Sequence, residues 1–83
     1  MDQAVFQKIK SILAKELNCD INLISEQSKI MADLGADSLD LAEISLIVRE
    51  EFQYDFTDTD MSNIRTVGDM YQILSRALAK DAA

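Results

Sequence analysis

The most constraining feature of this sequence is a helical repeat of apolar residues in a chain that contains no proline. Residues 3–17 place apolar side chains on one side of a predicted helix: Val5, Phe6, Ile9, Ile12, Leu13 and Leu17. The same period predicts a second helix that begins at Asp37 or Ser38 and ends near Phe52, with a core-facing arc of Leu41, Ile44, Val48 and Phe52. The sequence therefore predicts an all-α fold.

The remaining segments predict a four-helix bundle with three main helices, one short third helix and a long first loop. The short helix is expected at residues 59–64, and Thr66 with Asp69 resembles a capping box that opens the last helix. One face of that helix is apolar: Val67, Met70, Tyr71, Leu74 and Leu78. Residues 18–36 lack a period, so we expect a loop anchored by Ile24, Ile30, Met31 and Leu34. We expect residues 79–83 to fray.

The size and composition of the chain argue against catalysis. With 83 residues, it has material for one core, so we interpret residues 1–83 as a single domain. Such a small domain has few residues to spare for an active-site cleft. It contains no histidine and one cysteine, Cys19, which excludes an internal disulfide, a Cys/His zinc set and Ser-His-Asp machinery. We predict a carrying or binding protein that is not an enzyme and holds no metal.

The charge and hydropathy patterns limit the partners and the location. No apolar run approaches the roughly 20 residues that span a bilayer, and the first residues lack a signal-peptide pattern. We therefore expect a cytoplasmic monomer without stable membrane insertion. The net charge of −7 is concentrated in residues 20–60, where eleven acids accompany only Lys29 and Arg49. Such a surface repels nucleic acid and attracts basic partner surfaces, although from charge alone a role in solubility is the favoured interpretation.

The second predicted helix carries a further apolar stripe, opposite its core-facing arc. Leu39 and Leu46 lie on this stripe, with Glu43 and Glu50 beside them. Large apolar residues among acids are typical of a docking face. Scattered surface leucines are also common, so from the stripe alone both interpretations stay open.

The most specific pattern is the segment DLGADSLDLAEI, residues 33–44. It contains an Asp37-Ser38-Leu39 motif, followed by Asp40 and Glu43. Further matching features lie outside it: Glu50-Glu51-Phe52, Ile64 and Thr66-Val67-Gly68-Asp69. In these motifs, and in size and acidity, the chain resembles the acyl carrier proteins over nearly its full length, with the type used in fatty acid synthesis favoured.

Ser38 is also suited to attachment on physical grounds. A serine at a helix start is most often an N-cap, but here Asp37 can be the cap, with Asp40 at the third helical position. The Ser38 hydroxyl is then free to point outward. An attached phosphodiester would lie beside free N–H groups at the positive end of the helix dipole. Gly35 supplies backbone freedom just before this site.

The resemblance implies a function for these residues. A phosphopantetheinyl transferase, using Mg²⁺ and coenzyme A, would attach 4'-phosphopantetheine to Ser38, between Asp37 and Leu39. Acyl groups would be carried as thioesters on this arm for fatty acid biosynthesis, and synthases and transferases would perform all the chemistry. Docking to basic patches on these enzymes would involve Leu39, Asp40, Glu43, Leu46, Arg49 and Glu50. An acyl pocket would involve Ile30, Ile44, Val48, Ile64 and Ile73, although each is explained equally well as core.

Two departures from the family pattern leave the pathway open. Arg49 stands where these proteins commonly have another acid, and a positive charge there would weaken or redirect docking. Ser45 stands where they usually have an apolar residue, which could narrow the preference for long saturated chains. A dedicated carrier for a polyketide, peptide or other specialised pathway is therefore the alternative within the carrier class.

Two alternatives lie outside the carrier class. Asp58, Asp60, Ser62 and Asp69 fall at positions one, three, five and twelve of a calcium-binding loop. However, Asn63 replaces the glycine needed at position six, and Arg65 occupies position eight, where a hydrophobic residue normally packs. The second alternative is an interaction bundle without a prosthetic group, in which Ser38 could be replaced without loss of function.

Overall fold

A computed structural model describes residues 2–82, with side chains described up to residue 79. Four helices follow one another in this range: α1, Gln3–Leu17; α2, Ser38–Phe52; α3, Asp58–Asn63; and α4, Val67–Ala82. The predicted all-α bundle is confirmed, with three main helices and a short third one. Its long first loop contains a single 3-10 turn, Ile21–Leu23. The backbone of residues 79–82, where the sequence predicts fraying, is helical as part of α4, and residue 83 lies outside the described residues.

Local capping fixes the starts of α1, α3 and α4. The Ala4 N–H donates to Oδ1 of Asp2 at 3.0 Å, which caps α1. Thr57 and Asp60 form a capping box at α3. The predicted box at α4 is confirmed, since the Asp69 N–H donates to Oγ1 of Thr66 at 3.1 Å and the Thr66 N–H donates to Oδ2 of Asp69 at 3.0 Å. These bonds satisfy N–H groups that have no partner within their own helix.

The core lies where α1 packs against α2 and α4. Each main helix contributes the apolar face that its sequence predicts, and the following side chains are completely buried: Ile9, Leu13, Ile44, Val48, Val67 and Leu74. Full burial of one such side chain contributes about 1.5–3 kcal/mol. This single cluster is therefore the main source of stability, and it fixes the outward face of α2.

The first loop is held against the start of α4 by main-chain contacts. Three hydrogen bonds of 2.9 to 3.0 Å join them: Ile30 N–H to Arg65 O, Val67 N–H to Ser28 O and Gly68 N–H to Glu26 O. A β-carbon at Gly68 would lie 3.1 Å from the Glu26 carbonyl oxygen. The close approach of the loop to α4 therefore favours a glycine at this position.

The loop anchors are partly as predicted. Ile24 and Ile30 are buried and Leu34 is partly buried against the core. The prediction for Met31 is wrong, because its side chain is 51% exposed. The physical reason is that the turn from residue 29 to 36 uses Ile30 to fill the core, so the adjacent Met31 faces solvent.

Candidate attachment site at the start of helix α2

Asp37 caps α2, as the sequence predicts. The Asp40 N–H donates to Oδ1 of Asp37 at 2.9 Å, and the Asp37 N–H donates to Oδ2 of Asp40 at 3.0 Å. This reciprocal pair is a capping box. Because Asp37 is the cap, Ser38 becomes the first helical residue and its hydroxyl is not needed to start the helix.

The Ser38 side chain is exposed. Among the described residues, its hydroxyl has no hydrogen-bond partner, and neither do the N–H groups of Ser38 and Leu39. A phosphodiester on this hydroxyl would therefore meet two unused donors at the positive end of α2. The residues present fit a covalently attached phosphate group.

The turn before α2 directs Ser38 outward. Gly35 has a φ of 78°, which is in the left-handed region that residues with a β-carbon rarely adopt. Its N–H donates to the Met31 carbonyl at 3.0 Å and closes the turn. The next residue, Ala36, is buried in the core. An anchored alanine followed by an exposed cap leaves Ser38 at the surface.

The outward face of α2 presents a strip of alternating apolar and acidic side chains. Leu39 is 77% exposed and Leu46 is 53% exposed, and Glu43 and Glu50 are exposed beside them. These four residues, which we call the exposed strip, follow one another at spacings of four, three and four, so they share one side of the helix. The structure thus brings together four of the six predicted docking residues.

The other two predicted docking residues lie at the edges of the exposed strip. Asp40 is half-buried, and one of its carboxylate oxygens is engaged in the capping box. Arg49 is exposed, and its Nε lies 3.4 Å from Oδ1 of Asp55, a residue that sequence reasoning missed. Asp55 follows the end of α2, where Gln53 adopts a φ of 59° and turns the chain back toward Arg49. No sequence signal indicates this contact, because glutamine is not a residue type that favours left-handed backbone.

The five predicted acyl-pocket residues do not share one environment. Ile30, Ile44, Val48 and Ile64 are buried in the core cluster. Ile73 is only partly buried, and with Tyr54 and Arg76 it lines a surface pocket of about 210 Å³. The hydroxyl of Ser45 donates to the Ala42 carbonyl at 2.7 Å and is therefore satisfied within its own helix.

Two carboxylates of the supposed calcium loop, those of Asp60 and Asp69, are engaged in capping boxes. Residues Asp58–Asn63 form α3, not a metal-binding loop, and the described residues contain no group of three or more His, Cys, Asp or Glu placed to hold a metal ion. The hydrogen bond from the Tyr54 hydroxyl lowers the pKa of Asp60, and it raises the pKa of Tyr54. The Thr66 N–H lowers the pKa of Asp69.

These lowered carboxyl pKa values predict an acid-dependent loss of stability. A carboxyl group whose pKa is lower in the folded state stabilises the fold above its unfolded value of about 3.9, and this stabilisation is lost as pH falls through the folded value. Asp69→Asn should therefore lower the free energy of unfolding at pH 7. The difference in this free energy between wild type and Asp69→Asn, the stability gap, should narrow below about pH 4. Urea unfolding between pH 7 and pH 3 measures this gap.

Glu16→Gln removes one charge from an exposed position on α1 and controls for the change in net charge. A gap between wild type and Asp69→Asn that stays constant down to pH 3 would contradict the prediction.

Comparison with known proteins decides the family. A family model described as the phosphopantetheine attachment site matches residues 7–74. An acyl carrier protein from Thermotoga maritima is 37% identical over 76 residues, which cover 92% of this chain and 94% of the relative. The chain belongs to the acyl carrier protein family. A second acyl carrier protein, from Picosynechococcus, is 39% identical over 75 residues, which cover 90% of this chain and 93% of that relative.

Membership in the acyl carrier protein family shows the function and the cofactor. The chain carries acyl groups, and its cofactor is a covalently attached 4'-phosphopantetheine. This outcome confirms the carrier prediction and disfavours a bundle without a prosthetic group. In the described part of the carrier, no helix has the length and apolar content needed to cross a membrane.

Proposed function

We propose that this carrier holds its 4'-phosphopantetheine arm on the Ser38 hydroxyl and serves fatty acid biosynthesis. The observation that supports the attachment point is the exposed hydroxyl of Ser38, which lies beside the two unpaired N–H groups of Ser38 and Leu39. Asp37 contributes by capping α2 and sparing Ser38 from that task. A separate phosphopantetheinyl transferase would form the phosphodiester bond from coenzyme A.

The protein and its arm have separate roles. When bound, the arm supplies a thiol that forms thioesters, a chemistry that no side chain of this protein needs to provide. The protein itself is not a catalyst in this proposal: residues 1–83 act as one carrier domain that holds the arm and presents it. A tether raises the effective concentration of the acyl group at a docked enzyme, often to millimolar values.

Intact mass spectrometry tests the proposal. The apo chain is incubated with coenzyme A, Mg²⁺ and a promiscuous phosphopantetheinyl transferase, and we expect a mass gain of one phosphopantetheine. Proteolysis should locate the gain in the peptide that contains Ser38. An unmodified chain, or an arm on a different peptide, would contradict the proposed attachment to Ser38.

The transferase and the synthases would recognise the carrier through α2. The exposed strip offers Leu39 and Leu46 to shallow apolar pockets, and Glu43 and Glu50 to lysines and arginines. Asp40, at the edge of the strip, adds negative charge near the attachment point. Association with basic patches through this face fits a cytoplasmic monomer that meets many enzymes in turn.

Charge reversal on the exposed strip tests this docking surface. Glu43→Lys should lower kcat/KM for acyl loading by a basic partner enzyme about tenfold, because an attraction becomes a repulsion at the interface. Its free energy of unfolding should change by no more than about 0.5 kcal/mol, since Glu43 is exposed. Glu16→Lys, on α1, makes the same change in charge away from α2 and should affect loading less. Equal effects of the two variants would count against docking through the strip.

The acyl chain would enter the bundle between residues of the present core. Ile30, Ile44, Val48 and Ile64 would line its path, with Ile73 nearer the surface. Ser45 would place a polar group beside this path. A second candidate function is a carrier dedicated to a specialised pathway, which is favoured by the positive charge of Arg49 on the acidic helix.

A further inference from the structure

Arg49 gives the outward face of α2 a mixed charge. It is the single basic residue of this helix, which has four acids. It follows Leu46 by three positions and directly precedes Glu50, so it stands at the edge of the exposed strip. Its side chain is 60% exposed. A partner that covers Leu46 and Glu50 must therefore also come close to Arg49.

The contact with Asp55 leaves most of the Arg49 guanidinium available. Asp55 lies 3.4 Å from Nε, and the two terminal nitrogens have no ion pair or hydrogen bond within the described residues. Two terminal nitrogens in one plane match the two oxygens of a carboxylate. Both side chains of this ion pair are exposed, so the contact is weak and the guanidinium stays available to a partner.

The surroundings of Arg49 limit the direction of approach. Arg49, Glu50, Gln53 and Asp55 line an open pocket of about 270 Å³ at the end of α2. The carboxylates of Glu50 and Asp55 repel an acid placed between them, and Asp55 occupies the Nε side. A partner carboxylate is therefore restricted to the side of the terminal nitrogens. A partner lysine in the same place would meet the positive charge of Arg49.

We infer that the enzymes that act on this carrier present a docking patch with both positive and negative charges. Basic residues face Glu43 and Glu50, an apolar pocket receives Leu46, and a carboxylate faces Arg49. Arg49 is thereby the residue that selects partners, because a patch made only of lysine and arginine places a cation against it. The inference rests on the proposed function, since it assigns a partner to the same surface of α2.

The test uses the full holo chain and an acyl transferase whose carrier-docking patch contains only lysine and arginine. We expect this enzyme to load Arg49→Glu with a kcat/KM about 3–10 times that of wild type, because a repulsion is replaced by an attraction. Lys15→Glu, on the exposed side of α1, makes the same change in net charge and controls for long-range steering. It should raise the value less than Arg49→Glu does.

Transferase variants then locate the complementary position. Each lysine or arginine of the transferase patch is replaced in turn by glutamate. We expect one of these transferase variants to load the wild-type carrier faster than it loads the Arg49→Glu carrier. The unmodified transferase should show the opposite preference. The inference is overturned if every transferase variant gives the same ratio between the two carriers, or if Lys15→Glu equals Arg49→Glu. Mass spectrometry of both chains beforehand separates the two proposals, because a chain without an arm on Ser38 contradicts the proposed function instead.

Discussion

Ser38→Ala is expected to abolish attachment of phosphopantetheine, and with it all acyl loading. The physical reason is that the alanine has no oxygen with which to form the phosphodiester bond, so the loss should be complete. The fold should persist, because Ser38 is exposed and Asp37 provides the cap of α2. The measurement is intact mass after incubation with coenzyme A, Mg²⁺ and a promiscuous transferase.

Ser11→Ala provides the matched control for this experiment. Ser11 is also an exposed serine on a main helix, but it lies on α1, away from the capping box of α2. This variant should gain one phosphopantetheine at the wild-type rate. The attachment assignment fails if Ser38→Ala is still modified, or if both serine variants lose modification equally while remaining folded.

Among the variants proposed for this protein, Leu74→Ala is expected to lower the free energy of unfolding the most. Leu74 is completely buried in the core, on the face of α4 that packs against the bundle. Removing its outer carbons loses burial and leaves a cavity, which costs about 2–5 kcal/mol. A domain of this size has only about 5–15 kcal/mol in total, so a large part of the bundle's stability would be lost. Urea unfolding followed by circular dichroism measures the change.

Leu46→Ala is the matched control for the core variant. It makes the same substitution at a side chain that is 53% exposed on α2, so its free energy of unfolding should change by no more than about 0.5 kcal/mol. It should instead slow acyl loading by partner enzymes, because Leu46 belongs to the exposed strip. Two leucine variants with similar losses of stability would show that Leu46 is structural and would argue against its docking role.

The sequence predicts the helices and their caps well, because these features depend on residues close together in the chain. The period of apolar residues defines α1 and α2 at their observed bounds, and the boxes of Asp37 with Asp40 and of Thr66 with Asp69 need only a spacing of three. The same local logic predicts that Ser38 has no capping role. The side-chain roles at the docking surface and the acyl pocket stay predictions.

Exposure in the first loop could not be obtained from the sequence in the same way. Ile30 and Met31 are both large and apolar, and no period distinguishes them. The main-chain contacts between the loop and the start of α4, among them the hydrogen bond from the Ile30 N–H to Arg65 O, place Ile30 in the core and leave Met31 exposed. The preference for glycine at position 68 likewise appears only in the structure, where Glu26 approaches α4.

The sequence by itself determined the all-α class, the bounds of α1 and α2, the acidic surface and the motif around Ser38, because each is encoded within a few neighbouring residues. The tertiary structure alone decided that Asp55 holds Arg49 at one edge of the exposed strip and that the Tyr54 hydroxyl bonds Asp60. Both contacts join residues six positions apart, the first of them across the turn at Gln53, where the backbone is left-handed. No spacing in the sequence indicates that turn, because glutamine is not a residue type that favours left-handed backbone.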